Sequence, residues 1–149
     1  MLCDAMDAYE SMKVDVVKPR LLVRLGEAYL LADRVDEAQV CAEQCLAYTR
    51  ARGEHGYEAY ALRLLGEIAA HRADGKAAEG HFREAGSLAA DLGMRPLVGH
   101  CHRGLGAFYR RTGQKPEARE HLATAAAIFQ RLAMASGLER AEAELRQLD

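Results

Sequence analysis

The sequence predicts an all-α protein built as a solenoid of antiparallel helix pairs, and three observations lead to that prediction. A Leu-Gly pair recurs at a spacing of 40 residues, as Leu25-Gly26, Leu65-Gly66 and Leu105-Gly106. Within each unit apolar residues follow helical spacing, and short segments rich in Gly, Asp or Pro separate the helical runs. One amphipathic helix pair cannot bury its apolar face alone, so we expect successive pairs to pack on one another.

The bulk composition fits one globular domain. The chain has 149 residues, of which 50% are hydrophobic and 28% charged, with no Trp and three Pro. This length supports a single core, and the composition favours helices over strands. Nucleic acid is not expected as a partner, because the formal net charge is −2 and nucleic-acid-binding domains usually carry a marked basic excess.

Side-chain size repeats with the same period. In the second unit the first helix has apolar positions that end in Ala69, and the second helix carries Ala78, Phe82 and Ala85 on one face. The equivalent small or aromatic positions in the three units are Tyr29, Ala69 and Tyr109; Ala38, Ala78 and Ala118; and Cys45, Ala85 and Ala125. Glycine costs a helix about 1 kcal/mol relative to alanine. Three glycines in one register therefore predict that a neighbouring backbone approaches closely there.

Breaker residues give the expected turns and boundaries. Turns within units are expected at Asp33, at Asp74-Gly75 and around Gly113, with Gly75 replacing a turn glycine that position 73 lacks; Gly53 and Gly93 are expected to end units. The predicted boundaries are 1–13 for the latter part of a preceding repeat, 19–54, 55–94 and 95–134 for three repeats, and 135–149 for a capping helix. The cap carries one apolar stripe, formed by Leu138, Ala141, Leu145 and Leu148.

These residues resemble the tetratricopeptide (TPR) repeat family. The shared features are Leu-Gly-x-x-Tyr in the first helix and two alanines in the second, over about residues 19 to 149. The resemblance implies a right-handed α-solenoid. The sequence departs from the family in its period, since the commonest units have about 34 residues, and in Ala73, which stands at a turn where Gly113 stands one unit later.

A second resemblance concerns the amino-acid sequence of the third unit. The segments Leu92–Leu97, His100–His102 and Tyr109–Gly113 look like the C-terminal TPR region of large bacterial signalling proteins that join an ATPase module to a nucleotide cyclase domain. The incomplete first unit agrees with a C-terminal piece of a longer protein. This resemblance implies a regulatory or scaffold role, with any chemistry of the parent protein upstream.

The TPR resemblance also implies a binding surface on the concave face, lined by the first helices. The expected partner-binding residues are Tyr60, Arg63, Glu67, His71, His100, Arg103, Arg110 and Arg111, with Arg20, Val23 and Glu27 among those from the first unit. Arginine guanidinium groups suit the carboxylates of an acidic peptide or a phosphate. The alternative is a solvated helix face without a ligand. The expected partner is a protein or peptide.

Catalysis, cofactors and metals are not expected. The sequence has no glycine-rich phosphate loop, no HExxH and no nucleophile elbow. His100 and His102 cannot share an ion on one helix, because side chains at i and i+2 point about 200° apart. His81 and His121, at equivalent positions on second helices, are expected to be structural. Cys3, Cys41, Cys45 and Cys101 are expected to be reduced thiols used in packing.

The N-terminal part carries the remaining expectations. Acidic residues and the lack of a long apolar run in the sequence argue against a signal peptide or membrane span, so a cytoplasmic protein is expected. An apolar flank is expected to be available for a homodimer as an alternative to groove binding. Its residues are Val14, Val16, Val17, Leu21, Leu22 and Leu25.

Overall fold

The computed structural model describes the backbone of residues 2–149 and the side chains of residues 12–149. Over this part of the chain it has seven α-helices and no strand, which confirms the predicted all-helical class. The helices are α1 (Leu2–Leu31), α2 (Val35–Arg52), α3 (His55–His71), α4 (Gly75–Asp91), α5 (Arg95–Arg111), α6 (Lys115–Arg131) and α7 (Ala135–Arg146).

The helices form two layers that differ in spacing. Each helix packs against the next one along the chain, and α1, α3, α5 and α7 also contact one another in order. No Cα pair within 8 Å joins α2 to α4 or α4 to α6. Because the odd-numbered helices approach one another and the even-numbered ones do not, the stack curves with α1, α3, α5 and α7 on its inner side.

The turns between the helices share one geometry. Six residues, 20 positions apart, have positive φ: Asp33, Gly53, Ala73, Gly93, Gly113 and Ala133. At each turn the N–H of the following residue bonds a carbonyl five residues back, at 2.8–2.9 Å, as Met94 does with Ala89. This is the Schellman pattern, which satisfies carbonyls at the end of a helix. The predicted stops at Gly53, Gly93 and Gly113 are confirmed.

The prediction that Gly75 forms the turn in the middle unit is wrong. Ala73 itself adopts the positive φ, 60°, and Gly75 is the first residue of α4. Asp74 precedes the helix, and its carboxylate accepts a hydrogen bond from the Ala77 N–H at 3.2 Å. A Cβ on Gly75 would lie 2.9 Å from Cζ of Phe108, so glycine is needed there for packing.

The repeated helix glycines lie at close contacts, although not mainly with backbone as predicted. A Cβ on Gly66 would meet the Phe82 ring at 2.9–3.1 Å, and one on Gly106 would lie 2.5 Å from Cγ of Leu122. The Phe82 ring also occupies the space beside Gly104, where a Cβ would lie 2.6 Å from its Cε1. Side chains of the second helices therefore fill the space that these glycines leave.

The N-terminal helix differs from its prediction. Two helices were expected, one ending near residue 13 and one starting near residue 19, but α1 continues from Leu2 to Leu31 with Pro19 inside it. Proline has no N–H to bond the carbonyl four residues earlier. Here the Tyr48 hydroxyl of α2 donates to that carbonyl, the one of Asp15, at 2.9 Å. Most side chains of the segment predicted as a preceding repeat, residues 1–13, lie outside the described residues.

The apolar residues of the C-terminal segment pack against the core. Ala141 is fully buried against Phe129 together with Leu138, and Leu148 is buried in the cluster that also contains Leu145. The ring of Phe129 lies between two glycines. A Cβ would approach it to 2.8 Å from Gly99 of α5 and to 2.9 Å from Gly137 of α7. The small residue at position 137 thus lets α7 close against the core.

Candidate functional site

The inner layer contains a cleft of 370 Å³, which we call the inner cleft. It runs across α1, α3 and α5, because residues about one turn apart on each of these helices face the same side. Its lining residues are Arg20, Val23, Arg24, Glu27, Tyr57, Tyr60, Arg63, Pro96, Leu97 and His100. Six of the predicted partner-binding residues therefore meet at one place: Arg20, Val23, Glu27, Tyr60, Arg63 and His100.

Positive charge dominates the inner cleft. Arg20, Arg24 and Arg63 line it, against one carboxylate, that of Glu27. Arg24 contacts Glu27 at 3.3 Å, and Arg63 reaches Glu67 at 3.2 Å, whereas Arg20 has no ion-pair partner among the described residues. The Arg63 side chain is only 17% exposed, so its charge acts in a partly desolvated position.

His100 lies at the boundary between the inner cleft and the core. Its ring packs against that of Phe129, with centroids 5.0 Å apart. Burial lowers its pKa to about 4, and the nearby charges of Arg63, Arg103 and Arg140 add to the effect. The imidazole is therefore neutral at pH 7. Its Nδ1 is buried and has no hydrogen-bond partner among the described residues.

Other predicted residues lie outside the inner cleft. Glu67 follows it on α3, paired with Arg63, and Arg103 of α5 faces Glu144 of α7 at 3.5 Å. His71 is exposed at the end of α3, with Nε2 2.8 Å from Oδ1 of Asp33. That contact ties α3 to the turn between α1 and α2, so His71 is structurally separate from the cleft.

The C-terminal half of α5 holds the remaining two arginines. Neither Arg110 nor Arg111 has an ion-pair partner in the described part of the chain; Arg111 is exposed and Arg110 partly buried. Shielded atoms without hydrogen-bond partners accumulate on α5 and α7: Nδ1 of His100, Nε of Arg103, Nε of Arg110 and Oε2 of Glu144. Unpaired buried polar atoms are uncommon in folded proteins, and they mark this face as able to form further hydrogen bonds.

Sequence reasoning missed part of the lining. Tyr57 precedes Tyr60 by three residues and Arg24 precedes Glu27 by three, so the helical spacing that identified Tyr60 and Glu27 would also have indicated them. A larger cleft of 450 Å³ was not anticipated either. It lies between α4, α5 and α6, and it has an apolar lining with Arg95 and Arg131.

The histidines divide as the helix geometry predicted, with one addition. His100 and His102 point to opposite sides of α5 and do not share a site. His102 instead meets His121 of α6, with their Nδ1 atoms 3.0 Å apart. No local sequence pattern indicates this pair, because the two residues are separated by 19 positions and meet only through the packing of α5 on α6.

The cysteines are packing residues where the structure describes them. Cys41, Cys45 and Cys101 are free and buried, as predicted, whereas the side chain of Cys3 lies outside the described residues. Burial raises the pKa of Cys45 to about 11 and that of Cys101 to about 12. Thiols with such pKa values are poor nucleophiles at neutral pH.

No described helix combines the length and apolar character that a membrane span requires. Comparison with protein-family models and with curated proteins finds no match to this chain.

Proposed function

We propose that this chain is a TPR-like binding module, a right-handed solenoid of 40-residue helix pairs that holds an acidic segment of a partner protein in the inner cleft. It acts as a scaffold or regulatory segment, without catalysis of its own and in the cytoplasm. The resemblance of the third unit extends this proposal to a role in a bacterial signalling protein.

The recurrence of turns and glycines supports the repeat assignment. Positive-φ residues stand 20 positions apart, and α3, α4, α5 and α6 each have 17 residues. Gly26, Gly66 and Gly106 all lie where a Cβ would collide with a packed side chain. A structural unit of two helices with one register of close contacts is what a helical repeat requires.

The positive charge of the inner cleft is the observation that supports an acidic partner. Three arginines face one glutamate there, and two tyrosines, Tyr57 and Tyr60, provide amphipathic contact surface. Guanidinium groups bind carboxylates through paired hydrogen bonds. An extended acidic peptide supplies these carboxylates.

The test is selection of peptides from a random phage-displayed library on the wild-type chain. Selected peptides should be enriched in Asp and Glu, and their affinity should fall with added salt because exposed charges are screened. The triple variant Arg20→Glu, Arg24→Glu, Arg63→Glu should lose binding at least tenfold. A matched control, Arg72→Glu with Arg119→Glu, reverses arginines that pair with Asp36 and Asp149 away from the cleft.

A second set of variants tests whether the bound peptide also contacts the rest of α5. Reversing Arg103, Arg110 and Arg111 should abolish binding if the peptide continues along α5 and leave it unchanged if the inner cleft alone is used. Helicity measured by circular dichroism should be preserved in every variant. Peptides without acidic enrichment, or equal binding by the cleft variant, would exclude an acidic partner in the inner cleft.

A second candidate function is homodimerisation through α1, and an exposed apolar stripe on that helix supports it. Val14, Val17, Leu21 and Leu25 follow one another at three- and four-residue spacing, and each is between 44% and 61% exposed. Met12 and Val16 are also exposed, whereas Leu22 packs inward next to Val23 and Cys45. A continuous exposed apolar stripe of this kind is characteristic of an interaction surface.

Light scattering over a concentration series tests this candidate. A dimeric mass that returns to the monomeric mass in Leu21→Glu, but not in the control Leu31→Glu, would assign the contact to the stripe. Leu31 is 91% exposed at the end of α1, outside the spacing of the stripe. A monomeric wild-type chain at all concentrations would exclude a dimer through α1.

A further inference from the structure

A second cleft, of 300 Å³, lies between α4 and α6 on the side of α5 opposite to His100; we call it the outer cleft. Two histidines stand in it, His102 from α5 and His121 from α6. Their Nδ1 atoms are 3.0 Å apart, and their rings are inclined by 29° with centroids 5.3 Å apart. One neutral imidazole must donate its Nδ1 proton and the other must accept it.

Packing fixes the two rings relative to each other. The ring of His121 also lies 5.5 Å from that of Tyr109, in a stacked arrangement. Leu122, the next residue, is fully buried against Gly106 of α5. Such contacts hold α5 and α6 together. The packing of these two helices therefore sets the distance between the two imidazoles.

Charged groups on two helices, α4 and α6, lie near the pair. Arg83 of α4 contacts Glu79 at 2.9 Å, and Glu120 lies beside His121 on α6. Burial lowers the pKa of His102 and of His121, and the charge of Arg83 lowers both further while Glu120 opposes it. Both imidazoles are therefore neutral at pH 7 and have a nitrogen lone pair to give to a metal.

We propose that His102 and His121 together bind one divalent transition-metal ion, of the class of Ni²⁺ or Zn²⁺, in the outer cleft. Imidazole nitrogen binds these ions at about 2.0–2.1 Å. Two nitrogens at that distance are about 2.9 Å apart in octahedral and about 3.3 Å apart in tetrahedral geometry. The observed separation of 3.0 Å falls between these values. This inference is independent of the proposed function.

Binding needs a tautomer change in one ring and a rotation of the two rings that turns both Nδ1 atoms toward the ion. The proton that joins the two Nδ1 atoms moves to Nε2 of its own ring, so both Nδ1 lone pairs face the ion and both imidazoles stay neutral. Among the described residues no third His, Cys, Asp or Glu completes a chelating group. Water in the outer cleft fills the remaining positions, and the affinity is accordingly weaker than that of a structural zinc site with four protein ligands.

The alternative is that the pair serves only as a hydrogen bond between α5 and α6. This alternative predicts loss of stability, but no metal affinity, when either residue is replaced. Nearby charge gives a further distinction. Removing the positive charge of Arg83 should strengthen binding of a cation and leave a simple hydrogen bond little changed.

The experiment is titration of the full chain with Ni²⁺ alone. Binding is measured by calorimetry, and the site is located by paramagnetic broadening of the amide NMR signals. One ion should bind per chain, and broadening should centre on residues 102 and 121. His102→Ala and His121→Ala should each weaken binding at least tenfold, and His102→Gln, which retains a hydrogen-bonding side chain, should do the same if alanine unfolds the chain. Arg83→Gln should strengthen binding a few-fold.

The matched controls are His71→Ala and His81→Ala, which remove histidines elsewhere and should leave Ni²⁺ binding unchanged. Unchanged affinity in folded His102→Gln would overturn the proposal, and so would broadening centred on His71 and Asp33, the other close histidine contact. Absence of saturable binding at millimolar Ni²⁺ would also overturn it.

Discussion

The hydroxyl of Tyr48 donates a hydrogen bond of 2.9 Å to the main-chain carbonyl of Asp15, which Pro19 leaves without its usual helical donor. This contact explains how α1 continues through a proline that costs about 3 kcal/mol in a helix interior. Lys18 and Arg52 flank the Tyr48 ring at 5.0 and 4.3 Å. The side chain therefore ties α2 to the irregular part of α1.

Tyr48→Phe should lower the free energy of unfolding by about 1 kcal/mol, because it removes the hydroxyl and keeps the ring contacts. In a Pro19→Ala background the new N–H bonds Asp15, so the same substitution should cost much less. Urea unfolding of the four chains of this double-mutant cycle measures the coupling. An equal loss in both backgrounds would mean that the carbonyl does not depend on Tyr48.

Gly66 lets α3 pack closely against the Phe82 ring of α4. Gly66→Leu should cost on the order of 1 to 3 kcal/mol through overpacking against Phe82, whose ring lies 2.9–3.1 Å from the Cβ position. Gly80→Ala is the matched control, since nothing lies within 4 Å of its Cβ position on exposed α4. That control should stabilise the chain by about 1 kcal/mol. Thermal unfolding of both variants checks the contrast.

The sequence predicted the helices and most turns because their signals are local. Apolar spacing and glycine stops depend on residues within one or two turns of the chain. Pro19 misled the prediction, since a proline usually marks a helix boundary and the compensating hydroxyl comes from residue 48. Ala73 misled it as well, because an alanine adopts a φ of 60° at this turn, where glycine is expected.

The inner cleft was predictable only in part. Tyr60, Arg63 and His100 were found by register alone, since equivalent positions on first helices share a face. The separation of Arg103 and His71 from that cleft depends on Glu144 and Asp33, which lie 41 and 38 residues away along the chain. Pairings over such distances leave no local pattern in a single sequence.

Ala73 and Ala133 hold a left-handed conformation that costs L-residues about 1–2 kcal/mol. Ala73→Gly should raise the free energy of unfolding by about 0.5–1 kcal/mol, after the larger chain entropy of glycine is subtracted. The converse change, Gly93→Ala at a φ of 72°, should lower it by a similar amount. Chemical denaturation resolves both changes. A loss of stability in Ala73→Gly would mean that the methyl group contributes packing that outweighs the strain.

Phe129 connects the cap to the inner face, because its ring contacts the Gly99 and Gly137 positions and lies 5.0 Å from the His100 ring. It is fully buried, so Phe129→Ala should cost about 3–5 kcal/mol through the cavity it leaves. Phe129→Leu, which retains most of the volume, should cost clearly less.

The loss of stability in Phe129→Ala should be largest in α7, close to the substituted residue. Hydrogen exchange of α7 amides should accelerate more than that of α3 amides in Phe129→Ala, because α7 has only α5 and α6 to pack against, while α3 contacts helices on both sides. Uniform acceleration across all helices would instead indicate that the stack unfolds as one cooperative unit, with α7 as strongly coupled as the middle of the chain.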